Sequence, residues 1–387
     1  MMTLPFEIAE YEARIERARA AMRDARLDLL LLFHQESLYY LFGYDQIGYW
    51  VYQTVVLSAD GSAPTAICRG ADELMIRESP FIKEIRPWID DSHVNPGAFT
   101  VEILRERHGL SGRRRIGIEK KSHALLPYYY DLLREQIPDG VDLVDASDLV
   151  TELRLIKSPA ELAYMRRAAQ IMDRAFTAAF ATARPGAREC DVNAAVLHTL
   201  SSLGADYPAV APPIAFGSRT LTQTHGAATE RIMEQGDPFT IEIGAPYKRY
   251  HAVAVHSGHL GEPGPEIRSL YNGLREGIEE GFEMIRPGLP AARLAVAVVD
   301  RLEAQGLSRK GRHVGYGIGI GYPPTWLDNL RIKETDPHVL REGMTFFLFA
   351  GALTKRGDRC LYLGEAVAVS RDGCERLSAL PRELRVI

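Results

Sequence analysis

Apolar residues recur at Tyr11, Ile15, Ala18 and Met22 in "YEARIERARAAM", the spacing of one buried helical stripe. The pattern then changes. "LDLLLLF" is a short continuous apolar run, the mark of a buried strand, and "VVLSADGSAPTAIC" predicts two strands about an "ADGS" turn. "RRRIGIE" and "VDLVDAS" supply further strands, with the helical "PYYYDLLREQI" between them. Helix and strand thus alternate through residues 1–154, as in a small α/β domain. A strong helix start follows in "KSPAELAYMRRAAQIMDRAF": Ser158 caps, Pro159 fills the first turn and Glu161 completes a capping box. Leu162, Met165, Ala169, Met172 and Phe176 form the stripe behind it, so residues 155–387 begin a second domain.

That second region repeats itself. "ARPGARECDVNAAVLHTL" and "IRPGLPAARLAVAVVDRL" each place Arg-Pro-Gly, at Arg184 and Arg286, before an apolar helix. An internal duplication puts a cleft on its pseudo-symmetry axis. Strand pairs follow each copy. "PFTIEIGAPYKRYHAVAVHSGHLG" predicts a hairpin around "APYKR", and "GMTFFLFAGAL" with "CLYLGEAVAVS" a second pair. Alternation sets Phe239, Ile241 and Ile243 on one face and Glu242 on the other with Thr240. A mid-strand carboxylate needs a reason, and Glu365 inside "LYLGEAVAV" needs one too.

Composition narrows the class. A formal net charge of -5 over 387 residues offers no electrostatic attraction to nucleic acid or an anionic membrane. Four scattered cysteines without CxxC spacing read as reduced thiols of a cytoplasmic protein. No apolar run reaches membrane-spanning length, and the charged N-terminal stretch is unlike a secretory signal. The run "GYGIGIGYPP", Gly315 to Pro324, alternates its glycines where a dinucleotide fingerprint would need G-x-G-x-x-G, and prolines stand where the helix should start. It predicts a strand that lets other groups approach its backbone closely.

"LRLIKSPAELAYMRRAAQI", "FTIEIGAPYKRYHAVAVHSG", "HVGYGIGIGYPP" and "REGMTFFLFAGAL…LGEAVAV" resemble, in order and spacing, the creatinase/aminopeptidase (M24) family. The resemblance implies an α+β protein with a C-terminal pita-bread catalytic domain and a smaller N-terminal α/β domain. It also implies a homodimer. Peptidases of the family bind two metals through two Asp, one His and two Glu. Carried over position by position, that set reads Glu242, Val253, Tyr316, Phe349 and Glu365 here, so no metal is expected and no other cofactor. "EIGAPYKRYH", "GYGIGIGYPPTW" and "GYDQIGYWVYQ" are most similar to the metal-independent ectoine hydrolase and creatinase branches, which cleave C–N bonds in small polar molecules.

The resemblance makes Glu242, Glu365 and His225 the catalytic candidates. Two carboxylates in one dry cleft would split their pKa values. Glu242 is then the anionic nucleophile or general base, Glu365 the proton carrier, and His225 in "TQTHGAA" a donor or acid/base. Tyr49, Trp50, His251, Tyr316 and Tyr322 are the substrate-binding candidates, with Tyr49 or Trp50 an aromatic wall for a cationic group. Alternation puts His251 and His256 on opposite strand faces, so with His259 they make no three-fold metal site. Two alternatives remain: an Xaa-Pro metallopeptidase, and a non-catalytic pita-bread binding protein.

Overall fold

The computed structural model describes residues 4–91, 93–110, 112–309 and 313–387, apart from the side chains of 223–225 and 308–309. The chain divides into two compact units, Met1–Arg154 and Leu155–Ile387.

In the first unit, α1 (Ile8–Asp24) buries the four stripe residues read from the sequence together with Arg14. That guanidinium lies 4.2 Å from the Phe6 ring centroid and 4.4 Å from that of Tyr40, so aromatic faces stand in for water. Then come β1 (Leu29–Leu32), α2 (Gln35–Phe42), β2 (Thr54–Ser58), β3 (Thr65–Arg69), α3 (Glu73–Ile76) and β4 (Glu84–Trp88). α4 (Pro96–His108), β5 (Arg114–Ile118), α5 (Pro127–Arg134), β6 (Val141–Asp145) and α6 (Ser147–Arg154) complete the unit. The strands form one sheet in the order β4-β3-β2-β1-β5-β6. β1 runs antiparallel to β2 and parallel to β5, a mixed sheet.

The second unit opens with α7 (Pro159–Thr182), where both capping-box bonds of Ser158 and Glu161 are present. α8 (Glu189–Ser202), β7 (Ile214–Phe216), a 3-10 helix over Gly217–His225, β8 (Pro238–Tyr247) and β9 (Tyr250–His259) follow. Next are α9 (Pro265–Met284), α10 (Ala291–Ala304), β10 (Ser308–Arg309), β11 (Gly315–Tyr322) and β12 (Thr325–Ile332). β13 (Thr345–Leu353), β14 (Cys360–Val369), β15 (Cys374–Arg376) and β16 (Arg385–Val386) close the chain. The sheet runs β12-β11-β13-β14-β9-β8-β7, and β11 also bridges β9 at Ile320 and Tyr250, so the sheet curls on itself.

The sequence repeat is a structural repeat. α7 pairs with α8 and α9 with α10, and an Arg-Pro-Gly turn joins each pair. Gly186 and Gly288 adopt φ of 87° and 88°, a conformation that costs glycine nothing and other residues a strained backbone. Their N–H groups donate to Met233 and Leu340, and those residues donate back to Ala187 and Leu289. The helices cover one face of the curled sheet. Leu274, Ile278, Leu294 and Val298 pack there on Leu348, Leu361 and Leu363 in one buried cluster. The opposite face is left to carry the site. Among the described residues no helix is long and apolar enough to cross a membrane.

Candidate active site

β8 and β9 are joined at Lys248 and Arg249, both with positive φ (50° and 65°), as a two-residue hairpin turn requires. The Arg249 N–H donates to Asp206 at 2.8 Å, and its guanidinium stacks on Tyr207 and Tyr322. This turn sets the register of β8 against β9, and so the place of Glu242 opposite Val255. Glu242 pairs with Val255, Val255 with Gly364, and Gly364 with Phe349. Paired residues share a face. Glu242, Val253, Val255, Gly364, Phe347 and Phe349 therefore look out from the side opposite the helices, with Tyr316 paired to Phe347.

Glu242 interrupts the otherwise buried interior of β8 and is half-buried. Burial alone pushes its carboxyl up to about 8, because no cation stands beside it to favour the charged form. Its carboxylate has no hydrogen bond or ion pair among the described residues. Val253 and Val255 flank it on β9, and Trp326 packs so tightly on the neighbouring backbone that a Cβ on Gly244 would lie 2.4 Å from the indole. Beyond them stand Phe347 and Phe349, stacked at 4.9 Å, with Tyr316 edge-on at 5.4 and 5.7 Å. The Trp326 indole N–H donates to the Tyr316 hydroxyl oxygen at 3.1 Å. Burial, with the Glu242 carboxylate second, raises the Tyr316 hydroxyl well above its ordinary value. Tyr316 is thus a protonated donor whose oxygen is already held.

Glu365 is not part of this face. It pairs with Leu348 and Ala254, so it points toward the helices while its neighbour Gly364 takes the place beside Phe349. It is fully buried and receives both the Nε and Nη2 of Arg376 at 2.7 Å. Burial raises its carboxyl, opposed by the Arg376 guanidinium. The shared cleft expected of Glu242 and Glu365 does not exist, because the cross-strand register puts them on opposite sides of one sheet.

The remaining candidates separate. His251 lies on the Glu242 face by parity, but both ring nitrogens are taken: Nε2 accepts from the Ala209 N–H at 3.2 Å and Nδ1 bonds the Arg249 carbonyl at 3.0 Å. Burial lowers its pKa to about 4, so it is a neutral structural group and not a substrate ligand. Tyr322 is buried beneath Arg249, 4.8 Å from the guanidinium, and serves the turn. Tyr49 and Trp50 belong to the first unit, in a turn ahead of β2 and not in the strand that adjacent opposite-facing side chains would need. Their rings meet edge-on at 6.1 Å, with Trp50 63% exposed. The side chain of His225 lies outside the described residues.

The glycine run is the buried strand β11, and its partners explain the alternation. A Cβ on Gly317 would meet Asp328, one on Gly319 would meet Lys157 at 2.9 Å, and one on Gly321 would meet His251 and Trp326. Lys157 and Asp328 form an ion pair at 3.3 Å with side chains 1% and 0% exposed. The glycines admit a buried salt bridge and an indole, not a phosphate. Sequence reading left out Phe347 and Trp326 as site residues. The alternating phenylalanines of "TFFLF" were the available signal for the first.

A bridged metal pair needs several carboxylates and imidazoles converging on one point. This face supplies one described carboxylate; of its described imidazoles, His251 is saturated by backbone, His259 bonds the Gly261 carbonyl through Nδ1 at 2.8 Å, and His313 packs edge-on against the Phe349 ring at 5.5 Å. Among the described residues no group of three His, Cys, Asp or Glu is placed to hold a metal ion. The residues present do not fit a metal pair.

Residues 163–370 match metallopeptidase family M24, and residues 14–156 match the creatinase/prolidase N-terminal domain. The chain belongs to family M24. It is similar to the ectoine hydrolase of Halomonas elongata, 29% identical with 100% of this chain and 99% of that one covered. It is also similar to the Xaa-Pro dipeptidase of Pyrococcus horikoshii, 27% identical over 71% of this chain and 76% of that one. A recombinant prolidase from Thermococcus sibiricus superposes with a TM-score of 0.87 at 22% identity, covering 97% of this chain and 99% of that chain. That likeness gives the fold, the pita-bread fold of the prolidases. The chain is an M24-family hydrolase.

Proposed function

We propose that the protein hydrolyses a C–N bond of an amidine or amide in a small cationic or zwitterionic molecule, without a metal, in the manner of the ectoine hydrolase it resembles. One observation carries this reading: Glu242 stands without a described counter-ion on a face walled by Phe347, Phe349 and Tyr316. A carboxyl in that setting waits for a positive charge from the ligand. An amidinium bound there stabilises the ionised Glu242 and stacks on the rings, a contact of roughly 0.5–2 kcal/mol. The ionised carboxylate takes a proton from water or attacks the electrophilic carbon itself. On the water route the tetrahedral centre collapses with loss of the amine, which leaves carrying the proton Glu242 took; on the direct route the amine leaves with the proton the amidinium brought, and water then hydrolyses the acyl-Glu242 intermediate and restores the carboxylate. Tyr316, its oxygen held by Trp326, donates to the charge that develops on the way. Glu365 has no part in this step.

The test is a turnover screen of chelator-treated protein with ectoine, creatine-like compounds and N-acyl diamino acids, beside Xaa-Pro dipeptides. C–N cleavage that survives EDTA and disappears in Glu242→Gln is the expected result. Dipeptidase activity lost with EDTA and restored by Mn²⁺ would establish the metallopeptidase reading instead.

A further inference from the structure

On the helix-covered side of the sheet, away from Glu242, a cavity of about 350 Å³ opens between α7 and the segment Leu380–Val386. That volume suits one small organic molecule. Phe180, Leu380, Pro381 and Leu384 give it apolar walls. His256 of β9 forms part of its lining, 3% exposed and on the opposite face of the strand from Val255. The ring meets Phe176 edge-on at 5.1 Å, and its Nε2 is buried with no hydrogen-bond partner. Burial, followed by the charge of Arg376, holds this imidazole neutral, with a pKa near 4. A neutral imidazole has one nitrogen that accepts, and leaving a buried polar atom unpaired is unfavourable. The exposed part of the lining is charged. Arg385 lies with its guanidinium 5.4 Å from the Phe180 ring centroid, and Glu383 is two residues before it. Neither makes an ion pair among the described residues.

We propose that this cavity is a binding site, separate from the catalytic face, for an aromatic amino acid whose ring carries a hydrogen-bond donor. Its ring fills the apolar cavity against Phe180 and Leu384. The ring hydroxyl or indole N–H donates to His256. Its carboxylate meets Arg385 and its ammonium meets Glu383, so both ends of the zwitterion are neutralised. The substrate chemistry proposed for Glu242 is not needed for this assignment.

The probes are L-tyrosine and L-phenylalanine, titrated calorimetrically into the Glu242→Gln protein so that turnover does not contribute. L-Tyrosine is expected to bind one-to-one, about tenfold more tightly than L-phenylalanine, the scale of one hydrogen bond to a buried acceptor. Arg385→Ala, an exposed position that leaves folding intact, is expected to weaken both ligands about tenfold. His256→Leu is expected to erase the preference for tyrosine while phenylalanine still binds, with His256→Phe, which keeps a ring against Phe176 and has no acceptor, as the second variant should leucine impair folding. Absence of saturable binding overturns the proposal. So does binding that Arg385→Ala leaves unchanged, or a tyrosine preference that outlasts both His256 substitutions.

Discussion

Replacing Glu242 by glutamine removes the charge while preserving volume, and its effect on stability has a calculable dependence on pH. In the folded protein burial raises this carboxyl from 4.5 to about 8. A group whose folded pKa is raised binds its proton more tightly in the native state, so native stability falls as pH rises between the two values and levels off above the upper one. Each pH unit in that window costs about 1.4 kcal/mol, with a ceiling of about 5 kcal/mol. Because Glu242 is half-buried, solvent screening reduces this to about 2–3 kcal/mol. Glutamine does not titrate. The variant should match wild type near pH 4.5 and exceed it increasingly up to pH 8. For a unit of this size the gap in thermal midpoint at alkaline pH is about 5–10 °C. The assay is differential scanning calorimetry of both proteins across that range without substrate, following the transition of the second unit. Parallel midpoints at every pH would refute the account, showing that Glu242 titrates as a solvated carboxylate.

Other expectations follow from the same geometry. Gly288→Ala has open space for its methyl but must hold φ of 88°, so it should cost about 1–2 kcal/mol, read as a lowered denaturation midpoint, and Gly186→Ala should match it. Arg376→Met strands the buried Glu365 and should cost about 2–4 kcal/mol at neutral pH, less in acid where the carboxyl accepts a proton. Adding Glu365→Leu to that variant should recover most of the loss in chemical denaturation. Tyr316→Phe should lower kcat more than it changes KM, because the donated hydrogen bond matters most to charge formed in the transition state.

Much of this architecture is written locally. The α1 stripe, the Ser158–Glu161 capping box, the hairpin from Pro238 to His259 and the two Arg-Pro-Gly turns each depend on residues within a few positions of one another. What sequence cannot carry is the register between strands distant in the chain. Alternation within β8 orients Glu242 relative to Ile241, and alternation within β14 orients Glu365 relative to Gly364. Only the pairing of Val255 with both Glu242 and Gly364 says which parity of β14 shares the Glu242 face. His251 failed as a candidate for a related reason, since its Ala209 partner comes from a loop 42 residues away. The entry to α2 is similar: the Glu119 carboxylate accepts from the Phe33 and His34 N–H groups just ahead of the helix at 2.7 Å and from the Ser37 hydroxyl in its first turn at 2.6 Å. Nothing in "FHQES" announces a carboxylate supplied 86 residues downstream.

The contact between Gly364 and Phe349 limits what the Glu242 face can accept. A carboxylate placed on β14 directly opposite Phe349 would stand at Gly364, where a Cβ would lie 2.3 Å from the Phe349 Cβ and 2.7 Å from the Leu348 carbonyl oxygen. Removing the Phe349 side chain relieves only the first clash; the second needs β13 itself to shift. A carboxylate at that position therefore needs the backbones of β13 and β14 to part, a change that no single side-chain replacement supplies, so backbone packing at Gly364 commits the face to its single described carboxylate.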